Sequence, residues 1–183
     1  MQPLLLQDTS VLINLLATER FSDISKSTCW QFAICDAVHN ETKSIWNPDT
    51  QQREAVSLTP LIESGSLLTL GLDTDEERDA HVQFCSLPGV GPGEAMCIAL
   101  AQSRHLEFAT DDRKATRVCL AAQPAVRTVS TPDVLINWQN HIGMSKREMG
   151  LLLLKIETRA RFSLVVNHPH FAWWQSQKQA IVL

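Results

Sequence analysis

Short apolar runs recur along this chain, and the stretches between them are too long to be hairpin turns. Leu4-Leu5-Leu6, Phe32-Ala33-Ile34-Cys35, 66–70, 106–110 and 125–129 each have the length and composition of a buried strand. The segments between them carry helical spacing and helix-start signals. Thr9 or Ser10 can cap a helix whose apolar face is Val11, Leu12, Leu15 and Leu16. A second helix beginning near Ala37 carries Val38 and Glu41 less than one turn apart, and 50–63 reads as helical. Thr74, followed by Asp75, Glu76 and Glu77, is a capping-box pattern opening a helix that runs to about Leu87. The loop Pro88-Gly89-Val90-Gly91-Pro92-Gly93 precedes a small-residue helix containing Glu94, Ala95, Ile98, Ala99 and Ala101. A basic helix follows over 113–122, and Thr131-Pro132 starts another. Strands joined by helices predict an α/β fold with a mostly parallel sheet. From about Ser145 a long apolar helix centred on 151–154, then a tail with Pro169, Trp173 and Trp174, reads as an addition to that unit.

Composition narrows the class further. At 183 residues, 44% apolar and 20% charged, the chain can bury a core without staples. No uninterrupted apolar stretch reaches the roughly 18 residues of a membrane span. Met1–Ser10 lacks the basic start of a secretory signal, so a cytoplasmic location is expected. Five cysteines without a C-x-x-C pair read as buried thiols in a reducing compartment rather than as zinc ligands or disulfides. Charge is uneven: residues 1–100 hold 14 acids and 5 bases, whereas 101–183 hold 6 acids and 11 bases. A basic second half suits a nucleic-acid backbone, an acidic partner or simply solvent.

The acids carry the functional signal. Asp8, Glu41, Glu94 and the Asp111-Asp112 pair each fall just beyond a predicted strand or in the first turns of a helix. In an open parallel sheet the strand exits share one edge, where ligands bind. Two carboxylates about 4 Å apart repel by roughly 4 kcal/mol at an effective dielectric near 20. A cluster of them takes up protons or holds a cation. Oxygen donors without histidine point to Mg²⁺ or Mn²⁺, which can activate water against a phosphodiester. Singly, Asp8 as a helix cap and Glu94 as a partner of a helix dipole need no further role.

These motifs resemble those of PIN-domain nucleases. Leu4-Leu5-Leu6-Gln7-Asp8-Thr9-Ser10-Val11-Leu12-Ile13 is similar to the family's opening strand and first acid, and Ala37-Val38-His39-Asn40-Glu41 to its second acidic site. Gly93-Glu94-Ala95 with Ile98-Ala99-Leu100-Ala101 resembles the third, and Ala109-Thr110-Asp111-Asp112-Arg113 the last, a Thr-x-Asp pattern. The resemblance covers about 4–130 and is closest to VapC-type ribonuclease toxins. It implies a three-layer αβα PIN-like domain over 1–130, with 131–183 a helical C-terminal extension packed on the same domain. It implies a Mg²⁺- or Mn²⁺-dependent endoribonuclease, the toxin of a toxin–antitoxin pair. The catalytic acids would be Asp8, Glu41, Glu94 and Asp112. Asp8, Glu94, Asp112 and Asp111 are the metal candidates, with Asp112 preferred by the Thr-x-Asp spacing. Glu54 rivals Glu41. Thr110 and Ser10 can orient water or a ligand acid by hydroxyl hydrogen bonds. A catalytically silent PIN-like scaffold that binds RNA or protein is the alternative.

Other features suit partners. Arg113, Lys114 and Arg117 can grip RNA phosphates or an antitoxin beside the acids. Arg147, Lys155, Arg159 and Arg161 can extend that surface, Lys155 and Arg159 repelling each other one turn apart. His168-Pro169-His170 reads as a surface turn, and Trp173-Trp174 as packing ahead of base stacking. The apolar helix around Leu151–Leu154 has to be covered, by a homodimer or by its own domain.

Overall fold

Leu5 and Leu6 are both fully buried, as are Phe32, Ala33 and Ile34. Burial of consecutive rather than alternate strand residues means that both sheet faces are covered, the signature of a parallel sheet under helices. The computed structural model describes residues 2–182. The chain order is β1 (Leu4–Gln7), α1 (Thr9–Ala17), α2 (Phe21–Ser27), β2 (Gln31–Cys35), α3 (Asp36–Glu41), β3 (Ser44–Asn47), β4 (Gln52–Ala55), α4 (Thr59–Glu63), β5 (Leu68–Leu70), α5 (Asp75–Cys85), α6 (Pro92–Ser103), β6 (Glu107–Ala109), α7 (Arg113–Ala121), β7 (Thr128–Val129), α8 (Thr131–Ile142), α9 (Lys146–Lys155) and α10 (Phe171–Gln179). A π-helical turn, Ile156–Ala160, continues α9.

Five strands form one sheet in the order β5-β2-β1-β6-β7, and every pairing in it is parallel. The α/β class and the parallel sheet expected from the sequence are those observed. The chain steps outward from β1 through β2 to β5, then returns past β1 to β6 and β7. Each parallel pairing requires a crossover, and the helices in those crossovers cover both faces of the sheet. The small side chains of α6, Ala95 and Ala99 among them, are fully buried, and α6 packs along β1, β2 and β6. Between β1 and β6 the strand order reverses, which opens a crevice at the carboxyl ends of those two strands.

Three local expectations are corrected. Residues 50–63 are not one helix: β3 and β4 pair as an antiparallel hairpin, and only Thr59–Glu63 is helical. Asn47-Pro48-Asp49-Thr50 makes the turn, with Asn47 Oδ1 accepting the backbone N–H groups of Asp49 at 2.8 Å and Thr50 at 3.3 Å. The cap of α1 is Asp8, not Thr9 or Ser10. Helix α2, which the periodicity did not suggest, buries Phe21 and Ile24, with Phe21 edge-on to Phe32 at 5.6 Å between ring centroids.

The C-terminal helices share this core. Met149, Leu153, Ile156, Trp138 and Trp174 are all fully buried in it. A Cβ on Gly150 would lie 2.4 Å from the carbonyl oxygen of Gln177, so α9 and α10 touch at backbone distance. Trp174 donates its indole N–H to Glu157 at 2.9 Å, and Lys178 pairs with the same carboxylate at 2.7 Å. The apolar run is not covered all round: Leu152 and Leu153 face inward, while Leu151 and Leu154 are exposed. The anticipated repulsion of Lys155 and Arg159 is relieved within the chain, because both pair with Glu19.

Helix α6 is tied to α5 by one buried carboxylate. Glu77 closes the capping box with Thr74 and accepts from Arg104 Nε at 2.6 Å. Arg104 first, and the backbone N–H groups of Asp73 and Thr74 after it, hold the Glu77 carboxyl down at about 2. Stability from a lowered carboxyl pKa is present above its ordinary 4.5 and is lost as pH falls through about 2. Glu77→Gln is therefore expected to lower the unfolding free energy in urea by about 2–3 kcal/mol at neutral pH. The gap to the parent protein should close as pH approaches 2; a gap independent of pH would place the loss elsewhere.

Candidate active site

Asp8 is the first residue beyond β1, and its backbone N–H still bonds to Ala109 of β6 at 3.0 Å. That bond keeps the ends of β1 and β6 together at the crevice. Asp8 Oδ1 caps α1 by accepting Val11 N–H at 2.8 Å and also accepts the Ser10 hydroxyl at 2.7 Å. Oδ2 accepts the Thr110 hydroxyl at 2.6 Å. Burial pushes the Asp8 carboxyl up, against the lowering effect of these three donors. Ser10 and Thr110 therefore both donate their hydroxyls to the Asp8 carboxylate, one to each oxygen.

Five chain segments meet at this point. A cleft of about 450 Å³ is lined by Asp8, Thr9, Ser10, Val38, Glu41, Gly93, Glu94, Asp111, Asp112 and Phe162. Glu41 closes α3 and accepts the Thr9 hydroxyl at 2.8 Å. Gly93 makes room for it, since a Cβ there would stand 2.6 Å from Glu41 Oε1. Glu94, in the first turn of α6, is raised by its own desolvation, then by the charges of Asp112 and Asp8. The rival acid Glu54 lies on β4, where it accepts from Asn47 and faces Arg159, and it does not line the cleft.

The two neighbouring aspartates have separate surroundings. Asp111 has both oxygens occupied by protein donors: Thr131 N–H at 2.9 Å on one, Thr131 hydroxyl at 2.5 Å and Asn14 Nδ2 at 3.0 Å on the other. Asp112 caps α7 through Oδ1, which accepts Lys114 N–H at 2.5 Å and Ala115 N–H at 3.0 Å. Its second oxygen accepts no hydrogen bond among the described residues. Asp112 is exposed and open to the cleft, whereas Asp111 is a half-buried brace between β6, α1 and α8.

Among the described residues, no lysine or arginine lines the cleft, though the charge of nearby Lys114 works against the rise at Glu94. The donors are hard oxygens, and the chemistry of that set fits a divalent cation such as Mg²⁺ or Mn²⁺. The side chains are not gathered into a ready cage: among the described residues, no three His, Cys, Asp or Glu groups converge closely enough to enclose an ion. Arg113, Lys114 and Arg117 stand on α7 behind Asp112. Arg113 bonds Asn167, Lys114 folds over Gly89, and Arg117 is exposed.

Four positions around the acids carried little signal in the sequence. Thr9 and Asn14 read as parts of a helix, although a polar Asn14 within a buried apolar face marks a hydrogen-bonding duty. Thr131 read as a helix start, a position whose cap is Ser130. Phe162 had no signal at all, because only the three-dimensional path of 161–170 brings it to the acids.

No protein-family model matches the chain, and no curated protein matches it. Among solved structures it is similar to a PilT N-terminus domain protein from the hyperthermophilic archaeon Sulfolobus solfataricus P2. That similarity has a TM-score of 0.48 at 10% identity, and covers 75% of this chain and 95% of that one.

Burial raises the Asp111 carboxyl from 3.8 to about 6 despite its three donors, and the Asp8 charge adds to the rise. The sign is opposite to that of Glu77: ionising Asp111 costs stability above about 6, and the cost disappears as pH falls toward 3.8. A carboxyl-carbon NMR titration should find Asp111 with a midpoint near 6. A midpoint at the ordinary aspartate value would contradict the braced, desolvated geometry.

Proposed function

We propose that this chain is a metal-dependent endoribonuclease that hydrolyses RNA phosphodiesters with an activated water. One observation carries the reading. Asp8, Glu41, Glu94 and Asp112 come from four separate segments, yet they share a cleft at the crevice between β1 and β6 that no lysine or arginine lines among the described residues. Folding alone does not favour gathering acids in this way, because each raises the cost of ionising the next. A site for a cation accounts for it.

Asp8, Glu94 and Asp112 are the residues that would hold the ion. Bound Mg²⁺ or Mn²⁺ lowers the pKa of a water and offsets charge on a phosphodiester oxygen. Ser10 and Thr110 fix the Asp8 carboxylate by two hydroxyl bonds, and α1 fixes it by a backbone bond. Asp112 keeps one oxygen free toward the cleft. Glu41, steadied by Thr9, is exposed at the rim, where it can orient a water. Asp111 belongs behind this set, since its oxygens already serve Thr131 and Asn14.

The reading extends to a toxin restrained by a cognate antitoxin in the cytoplasm. Arg113, Lys114 and Arg117 beside the acids are suited to RNA phosphates or to an acidic partner segment. Exposed Leu151 and Leu154 offer a face for a homodimer.

Purified protein should cleave single-stranded RNA with Mg²⁺ or Mn²⁺ and stop on addition of EDTA. Asp8→Asn keeps the shape and removes the charge, so cleavage should fall by about a thousandfold or more with the fold intact by circular dichroism. Full activity in that variant would overturn the assignment. RNA binding without cleavage by the parent protein would favour the silent scaffold.

A further inference from the structure

The segment 161–170 leaves the π-helical turn and brings Phe162 to the acidic cleft. It is tied down at both ends. At its start the Arg161 guanidinium stacks on the Trp46 ring of β3, 4.3 Å from the centroid. At its end Asn167 bonds Arg113 of α7, and His170 Nε2 meets Asp133 of α8 at 2.7 Å. Phe162, half-buried, sits between these ties and lines the acidic cleft.

Phe162 also lines a second cleft, of about 470 Å³, bounded by Arg161, Ser163, Leu164, Trp174 and Gln175 among others. The two clefts therefore meet at one aromatic ring. Their electrostatics differ. The first is bounded by carboxylates. In the second, Glu157 is neutralised by Lys178, while Arg161 is exposed and forms no ion pair among the described residues. The Trp46 ring occupies only one face of the Arg161 guanidinium, so its N–H edges stay available to an anion.

This arrangement matches a polynucleotide strand, whose anionic groups recur at each step with a flat base between them. We infer that the second cleft is a nucleotide subsite of the same RNA substrate: the base beside the scissile phosphate stacks on Phe162, and the next phosphate reaches Arg161. The inference rests on the nuclease reading of the acidic cleft and names how the strand is held there. Stacking accepts any base, because every base offers a π-face. Phe162 is thus a positioning residue without sequence preference. A single strand is selected over a duplex, since a paired base cannot lie against the ring.

The test is binding of a short single-stranded RNA carrying 2-aminopurine, titrated by fluorescence in Ca²⁺ so that turnover does not interfere. Cleavage of the same RNA is measured in Mn²⁺. The parent protein should quench the probe when it sits beside the cleavage position. Phe162→Leu keeps apolar volume against Trp174, its edge-on neighbour at 5.9 Å. It should lose the quench and weaken binding by about 5- to 100-fold. Phe162→Tyr should restore both, an outcome that a purely packing role does not predict. Arg161 has φ 57°, and Arg161→Asn tolerates that backbone while removing the charge. It should reduce the slope of log affinity against log salt by about 0.7. Parent-like quenching and affinity in Phe162→Leu would overturn the subsite while leaving the nuclease reading standing. Faster cleavage in that variant would overturn it too, identifying Phe162 as a plug. A parent protein that neither binds nor cleaves RNA would overturn both readings together.

Discussion

A carboxylate at the end of a central parallel strand must be held against its own desolvation, and the cleft is organised around that requirement. Asp8 sits where β1 stops, beside β6, with two covered sheet faces behind it. The chain answers with three donors of different origin: the first turn of α1, the Ser10 hydroxyl and the Thr110 hydroxyl from beyond β6. The Thr110 bond is the consequential one. It spans the point where the strand order reverses and links the β1 acid to the segment that carries Asp111 and Asp112.

Helix starts are used repeatedly in the same manner. Asp8 caps α1, Asp112 caps α7 and Glu94 lies in the first turn of α6. A helix N-terminus favours negative charge, so each acid gains a local reason to stay ionised while pointing at the cleft. Read one at a time, these residues are ordinary caps. Their convergence sets them apart, and Gly93 leaves the space in which the Glu41 carboxylate lies against α6.

Much of this was legible in the sequence. The apolar runs of β1, β2 and β6, the Thr74 capping box and the small residues of α6 each state their structure locally. Asp8, Glu41, Glu94 and the Asp111-Asp112 pair stood out because they fall at strand exits or helix starts, and the resemblance to PIN-domain nucleases implied Asp112 through its Thr-x-Asp pattern. The hairpin β3–β4 was hidden because β4 is exposed along its whole length and shows no alternating apolar pattern. The roles of Asp111 and Asp112 also could not be separated by spacing alone. They follow from partners more than 15 residues away, Thr131 and Asn14, whose arrival depends on how α8 returns to α1. Phe162 belongs to the same class, brought to the acids by an irregular segment tied down through Trp46, Arg113 and Asp133.

The central claim is that the acids at the ends of β1 and β6 exist to hold a divalent cation. The most direct measurement is anomalous diffraction from crystals of the protein soaked in Mn²⁺, beside crystals of Asp8→Asn treated identically. The account predicts an anomalous peak in the cleft touching Asp8, Glu94 or Asp112, with Asp111 still bonded to Thr131, and loss of that peak in the variant. An empty cleft at saturating Mn²⁺, or a peak that persists without the Asp8 charge, would contradict it.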